Sequence, residues 1–364
     1  TFSGKCWGVE TLSVAARHYR ILMAGVDQFG GNSDMGPILE AYRMGVTEHG
    51  EAFMRIRFEQ SAVRLLVNIF RVGLFENPYL DPKETMETVG CAAYIREGFE
   101  AQKKSVVLVK NRGGVLPLSK GTKVYIPDRF TPELRGWFGM VVPARTERPM
   151  DPGVAGSFLQ VVQSPEEADC ALVIARGPMN VMMQGGYDAK DADAGGNGYV
   201  PISLQYRPYT ADTARETSLA GGDPLEPFVN RSYRGKTVRT VNETDLDMIL
   251  ETRKAMGGKP VLVVLQLERP AVVSEFEAEV DALVVHFGIQ DEALLQVLCG
   301  DTEPTGLLPL QLPANMETVE AQAEDLPRDM ICHVDTEGNA YEFGFGLSFD
   351  GVLEDERTRK YAKR

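Results

Sequence analysis

The chain has 364 residues, 43% of them hydrophobic and 25% charged, with a formal net charge of −14. That length and apolar content suit one large or two ordinary domains with real cores, and exclude a disordered or fibrous chain. The acidic balance argues against nucleic acid and anionic membrane surfaces as partners, because both are held by lysines and arginines set against phosphates.

In chain order, Glu10 to Tyr19 has helical spacing, and Ile21 to Phe29 is a short apolar run ending in Gly30-Gly31 that reads as a strand. Pro37 to Gly45 resumes helical spacing, so this part reads as one strand–helix unit. From Glu51 to Phe70 a long helix is expected, with Phe58, Val63, Leu66, Ile69 and Phe70 as a broad apolar face beside Arg55, Arg57, Glu59 and Arg64. Asn77-Pro78-Tyr79 and Asp81-Pro82 stop it and place a domain boundary near residue 80.

From residue 88 the pattern becomes helix–strand alternation. Val106–Val109, Val124–Ile126, Ala171–Ala175, Val261–Leu265, Leu283–His286 and Leu307–Leu312 are apolar throughout, as strands buried on both faces are. With helices at Tyr94–Lys104, Leu246–Ala255 and Glu292–Leu298, this predicts a three-layer α/β sandwich with a mostly parallel sheet over 88–350, followed by a tail at 351–364. Residues 177–242 interrupt it with Gly, Asp and Tyr and no core-length apolar run. Long excursions from strand ends commonly carry function, and the competing reading is a surface insertion.

Five scattered cysteines without CxxC spacing suggest neither a zinc site nor a disulfide framework. His18, His49, His286 and His333 show no metal-ligand spacing and read as core or surface residues. Gly195-Gly196-Asn197-Gly198 lacks the lysine of a phosphate loop and reads as a turn. No run approaches the roughly 18 apolar residues of a membrane helix. The chain opens at Thr1 with no charged-then-apolar leader, so localisation stays open, a secreted or periplasmic protein included.

Several segments, taken together, resemble glycoside hydrolase family 3. Ala24-Gly25-Val26-Asp27, Ser61-Ala62-Val63-Arg64-Leu65-Leu66 and Gly73-Leu74-Phe75-Glu76-Asn77-Pro78-Tyr79 look like the end of that family's barrel and its linker. Glu100 to Asn111 with Leu116-Pro117-Leu118 resembles the entry into its second domain, and Pro304-Thr305-Gly306-Leu307-Leu308-Pro309 and Phe343-Gly344-Phe345-Gly346-Leu347-Ser348 resemble its closing motifs. The resemblance spans nearly the whole chain. It implies that residues 1–80 are the last strand–helix unit of a (β/α)8 barrel plus linker, with the earlier barrel strands in an N-terminal segment upstream.

The resemblance further implies an exo-acting retaining β-glycosidase, a β-glucosidase or β-xylosidase releasing terminal non-reducing β-linked sugars from oligosaccharides or aryl glycosides without a dissociable cofactor. The family nucleophile is an aspartate in a Ser-Asp-Trp-like motif on the seventh barrel strand, and no such tripeptide occurs here. Asn32-Ser33-Asp34-Met35 is the nearest string and reads as a helix cap. The nucleophile is therefore expected upstream, and the chain is expected to be an incomplete enzyme alone. The family acid/base sits in a Gly-Glu-Gly-Tyr-Asp-like loop, which here reads Gln184-Gly185-Gly186-Tyr187-Asp188, so Gly185 stands where the acid should be. Asp188 and Glu216 are the acid/base candidates, with Asp191, Asp193 and Asp212 behind them; each has a solvated surface carboxylate as its plain alternative.

For substrate binding, Trp7 offers an apolar platform or a buried helix-entry indole, and Asp27 with Gln28 can reach sugar hydroxyls unless Asp27 only pins its turn. Tyr187 and Arg215, with Tyr199, Tyr206, Arg207 and Tyr209, supply stacking surfaces and donors; contact in a homodimer is their competing use. The alternative function is a non-catalytic carbohydrate-binding or assembly module, a degenerate family member, which Gly185 motivates. An unrelated flavodoxin-like domain with a small ligand at its strand ends is the third reading.

Overall fold

The computed structural model describes residue 9 and residues 11–31, 33–135, 140–180, 203–216, 234–323 and 326–361. The chain divides into two compact units, one centred on residues 1–91 and the other beginning at Ala92.

The described part of the first unit is helical. Helix α1 (Val14–Met23) is capped by Ser13, whose hydroxyl accepts from the Ala16 amide at 3.2 Å, and it buries Ala15, His18 and Leu22 along one stripe. The strand expected over Ile21–Phe29 is not formed. Ile21, Leu22 and Met23 complete the last turn of α1 instead, and the chain turns away at Gly25, whose φ is +103°. Helix α2 (Gly36–His49) crosses α3 (Glu51–Arg71) at Gly45, where an added Cβ would lie 2.3 Å from the Met54 sulfur. The face of α3 that is buried is Met54, Arg57 and Ser61, not the expected apolar one, and Val63, Leu66 and Phe70 are exposed. Arg57 explains this: its Nε and Nη2 donate to the Leu22 carbonyl at 3.0 and 2.8 Å, and Nη2 also to that of Val26 at 2.9 Å, tying the last turn of α1 and the chain beyond it to α3. A short helix α4 (Pro82–Thr88) closes the unit, capped by Asp81.

The second unit holds an eight-stranded sheet. Its strands are β1 (Val107–Asn111), β2 (Lys123–Tyr125), β3 (Gln160–Val162), β4 (Cys170–Arg176), β5 (Val261–Gln266), β6 (Ala282–His286), β7 (Leu347–Ser348) and β8 (Gly351–Val352). The spatial order is β8-β7-β1-β6-β5-β4-β2-β3; the run from β6 to β3 is parallel, and β1, β7 and β8 are antiparallel. Alternate residues feed two separate cores. Val173, Val263, Leu265, Leu283 and Val285 pack under Leu246, Ile249 and Met256 of helix α7 (Glu243–Met256). Leu172, Leu262, Val264 and Val284 pack on the other face against Ala155 of α6 (Pro152–Phe158) and Leu294, Leu295 and Leu298 of α8 (Asp291–Leu298), which also meets α5 (Ala92–Lys104). The three layers and mostly parallel sheet are those expected from the strands' apolar character.

Leu307–Leu312, expected as a strand, is not one. Pro309 removes a ladder donor in its middle. The segment instead threads between neighbours, Leu308 N donating to Phe345 O at 2.7 Å and Leu312 N to Tyr341 O at 3.0 Å. It leaves β1 at Gly306, where an added Cβ would lie 2.3 Å from the Val106 carbonyl oxygen, and an added Cβ at Gly346 would lie 2.4 Å from the Gly306 oxygen. The two closing motifs thus pack backbone against backbone.

Around the amino-terminal end of β6, fully buried Lys110 donates through Nζ to the Glu277 carbonyl at 2.8 Å and to its carboxylate, whose Oε2 also meets His333 Nε2 at 3.0 Å. Burial raises the Glu277 carboxyl, but hydrogen bonds from His333 and Lys110 outweigh it and bring it to about 2.

Candidate functional site

Open α/β sheets take ligands beyond the carboxyl ends of their parallel strands. At that edge Gln266 is paired in register with Arg176 of β4 on one side and His286 of β6 on the other. Parallel partners at one level point to one face, so the three side chains lie in a row continuing the face of Leu172, Leu262 and Val284. His286 is buried, Gln266 half-buried and Arg176 exposed. The Gly288 amide donates to His286 Nδ1 at 3.2 Å, which leaves the proton of a neutral ring on Nε2. Burial, helped by the positive charge of Arg176, lowers the imidazole to about 4.

Directly after Arg176 the chain enters the 177–242 excursion, whose base is built from residues far apart in sequence. Asp245 in the first turn of α7 accepts a two-pronged pair from Arg129, Nε to Oδ1 at 2.7 Å and Nη2 to Oδ2 at 2.8 Å, and Oδ2 also takes Asn242 Nδ2 at 2.8 Å. Asn242, fully buried, holds the outgoing strand from both sides: Nδ2 reaches the Gly177 carbonyl at 3.1 Å and Oδ1 accepts from the Met179 amide at 2.7 Å. Buried Tyr206 donates its hydroxyl to the Arg176 carbonyl at 2.6 Å. Its phenol is pushed well above the ordinary value by burial, then by Asp245 and Glu275. The Glu275 carboxylate caps the amides of Tyr206 and Arg207 at 2.6 and 2.9 Å; burial raises it and these two amides oppose the rise. At the neck of the excursion Asn180 and Ser203 clasp each other, Nδ2 to the Ser203 carbonyl and the Ser203 amide to Oδ1, both at 2.9 Å.

Trp7, Tyr187 and Asp188 lie outside the described residues. Asp27 and Gln28 belong to the first unit. Asp27 Oδ1 accepts from Ser61 at 2.6 Å, Arg64 at 3.1 Å and Arg57 at 3.4 Å, and its carboxyl is held below the usual range, first by Ser61 and against a smaller opposing effect of burial. Oδ2 accepts from none of the described residues, and Gln28 is exposed. Arg215 belongs to the second unit, where Nη2 donates to the Gln322 carbonyl at 3.0 Å, and Glu216 is exposed. Tyr206 and Tyr209, expected as stacking surfaces, are buried, and Arg207 is tied to Glu243 and Asp247 at 2.7 Å each; all three serve the base. Among the described residues no His, Cys, Asp or Glu group could hold a metal ion, and no helix is long and apolar enough to cross a membrane.

Sequence reasoning missed the base and the edge row. The row did leave a signal: three apolar strands each end on a polar residue, Arg176, Gln266 and His286. The base left almost none, since Arg129 and Asp245 look like ordinary surface charges in their own segments.

Comparison with known proteins converges on one family. The model of the "Glycosyl hydrolase family 3 C-terminal domain" matches residues 106–349. "Probable beta-glucosidase C" of Aspergillus flavus is 31% identical over 348 residues, covering 95% of this chain and 42% of that protein. "Periplasmic beta-glucosidase/beta-xylosidase" of Dickeya chrysanthemi is 28% identical over 345 residues, covering 94% of this chain and 41% of that protein. The chain therefore spans less than half the length of these relatives. A β-glucosidase from Listeria innocua solved in complex with laminaribiose shares the fold, with a TM-score of 0.53 at 17% identity over 92% of this chain and 44% of that one.

Proposed function

We propose, for a chain that belongs to glycoside hydrolase family 3, that it is the C-terminal part of an exo-acting retaining β-glycosidase releasing terminal glucose or xylose. The single observation that carries the reading is the braced base of the 177–242 excursion at the carboxyl edge of the sheet, with its neck closed by Asn180 and Ser203. A catalytic loop must be presented at fixed points to hold its acid in place, and this base supplies them.

Retention needs two carboxyl groups about 5 Å apart. One attacks the anomeric carbon as the protonated other gives its proton to the departing glycosidic oxygen; the second then takes a proton from the water that cleaves the glycosyl-enzyme ester. In this reading the nucleophile comes from a segment preceding the present chain, in which no Ser-Asp-Trp-like tripeptide occurs. The acid/base comes from the excursion, with Glu216 and Asp188 as candidates, and Trp7, Asp27, Gln28, Tyr187 and Arg215 contact the sugar. For Asp27 the oxygen that would do so is Oδ2.

The test is nitrophenol release from aryl β-glucoside and β-xyloside by this chain, by the chain joined to its upstream segment, and by Asp188→Asn and Glu216→Gln variants of the joined protein. Activity in the joined protein that one substitution removes supports the reading; no activity in any form refutes it. Gly185, standing where the acid is expected, favours one competing reading, a non-catalytic sugar-binding member of the family. Sugar binding without turnover in the joined protein would establish that instead.

A further inference from the structure

The row at the carboxyl edge plays no part in the proposed chemistry, yet its backbone is firmly held. Arg176 N donates to Asp245 at 3.3 Å, and its carbonyl accepts from Tyr206 and Asn242 at 2.6 and 3.2 Å. The Gln266 carbonyl accepts from Gly177 at 2.8 Å, and that of His286 from Leu267 at 2.9 Å. The side-chain heads, by contrast, are unspent. Among the described residues no carboxylate pairs with the Arg176 guanidinium, no hydrogen bond engages the Gln266 amide, and His286, only 6% exposed, keeps Nε2 without a partner.

All three heads are open to a ligand: Arg176 is exposed, Gln266 is half-buried, and His286 Nε2 still reaches solvent. Three N–H-bearing heads in register on adjacent strands, one permanently charged, match an oxyanion; the amide oxygen of Gln266 adds an acceptor suited to a hydroxyl. We infer that Arg176, Gln266 and His286 form a binding site for the carboxylate end of an acidic sugar, a hexuronate. Arg176 and His286 Nε2–H donate to the carboxylate and Gln266 engages a neighbouring hydroxyl. The choice of a sugar as the carrier rests on the glycosidase reading; the oxyanion chemistry does not.

The test titrates the 364-residue chain with glucuronate, glucose and inorganic phosphate, followed by calorimetry and by the imidazole nitrogen resonances of His286. Glucuronate is expected to saturate and to shift the His286 Nε2 resonance, with glucose and phosphate each binding at least about tenfold more weakly. Arg176→Gln, at an exposed position that leaves the core intact, is expected to weaken glucuronate about tenfold. Equal affinity for glucose, phosphate binding as tight as glucuronate, an unchanged affinity in Arg176→Gln, or no binding at all would each overturn the inference. Because the readout is binding, its failure stays distinct from a failure to turn over aryl glycosides.

Discussion

Replacing Lys110 by methionine removes one ammonium from the interior and leaves nearly the same volume behind. In the native chain that ammonium, fully buried, donates to both the carbonyl and the carboxylate of Glu277; His333 shares the carboxylate and the Val280 amide the carbonyl. Without it a buried carboxylate keeps one partner, and the carbonyl keeps only the Val280 amide at 3.3 Å. Breaking a buried pair from one side costs about 3–5 kcal/mol. At about 2–4 °C per kcal/mol for a domain of this size, the melting temperature should fall by roughly 6–20 °C. The acid limb should move as well. The Glu277 carboxyl sits at about 2 in the folded chain, below its unfolded value. Its contribution is therefore complete above the unfolded pKa of about 4.3 and lost as pH falls through the folded value. In Lys110→Met the folded value rises, so this contribution shrinks. Urea unfolding at pH 7 and pH 3 measures both effects, and the double variant Lys110→Met/Glu277→Gln should recover part of the loss. A single-variant loss under about 1 kcal/mol at pH 7 would refute the reasoning.

Gly306→Ala should cost about 1–3 kcal/mol in denaturant unfolding, because the new methyl meets the Val106 carbonyl rather than a side chain that can move. Gly156→Ala, in α6 with open space around the added carbon, should gain about 0.5–1 kcal/mol in the same assay. His286 should titrate with a midpoint near 4 by NMR. Since that lies below the unfolded value of about 6.5, the unfolded chain takes up the proton first, and stability should decline as pH falls from about 6.5 toward 4, a decline that His286→Gln lessens. Asp245→Asn should leave Arg129 without its anionic partner and speed amide exchange at Met179 and Arg207 more than in the centre of β5, since the excursion's base loosens before the sheet does.

Much of the sandwich was legible in the sequence because a strand buried on both faces has no room for polar residues, and Val261–Leu265 or Leu283–His286 admits few other readings. The errors have local causes. Leu307–Leu312 has a strand's composition, but Pro309 and the close contact at Gly306 make it a connecting thread. Ile21–Met23 are apolar in strand and helix alike, and a run so short does not reveal that it continues α1. The buried side of α3 was misread because a charged residue, Arg57, carries it by donating to the Leu22 carbonyl of another helix, a role invisible to hydrophobic periodicity. Of the candidate site, the excursion was evident from its composition; its acid/base candidates came from the resemblance, and its tyrosines and arginines from their own chemistry. The pairing of Arg129 with Asp245 depends on the folded sheet, and no local pattern announces it.

The clasp between Asn180 and Ser203 bears on how such a protein diversifies. It closes the neck with side-chain and main-chain bonds that owe nothing to the identity of residues 181–202. For a flexible insertion, doubling its length adds only about 0.6 kcal/mol of closure entropy. Rewriting or lengthening that interval leaves both bonds of the clasp in place. A gain or loss of a carboxylate there changes the chemistry offered without touching the clasp.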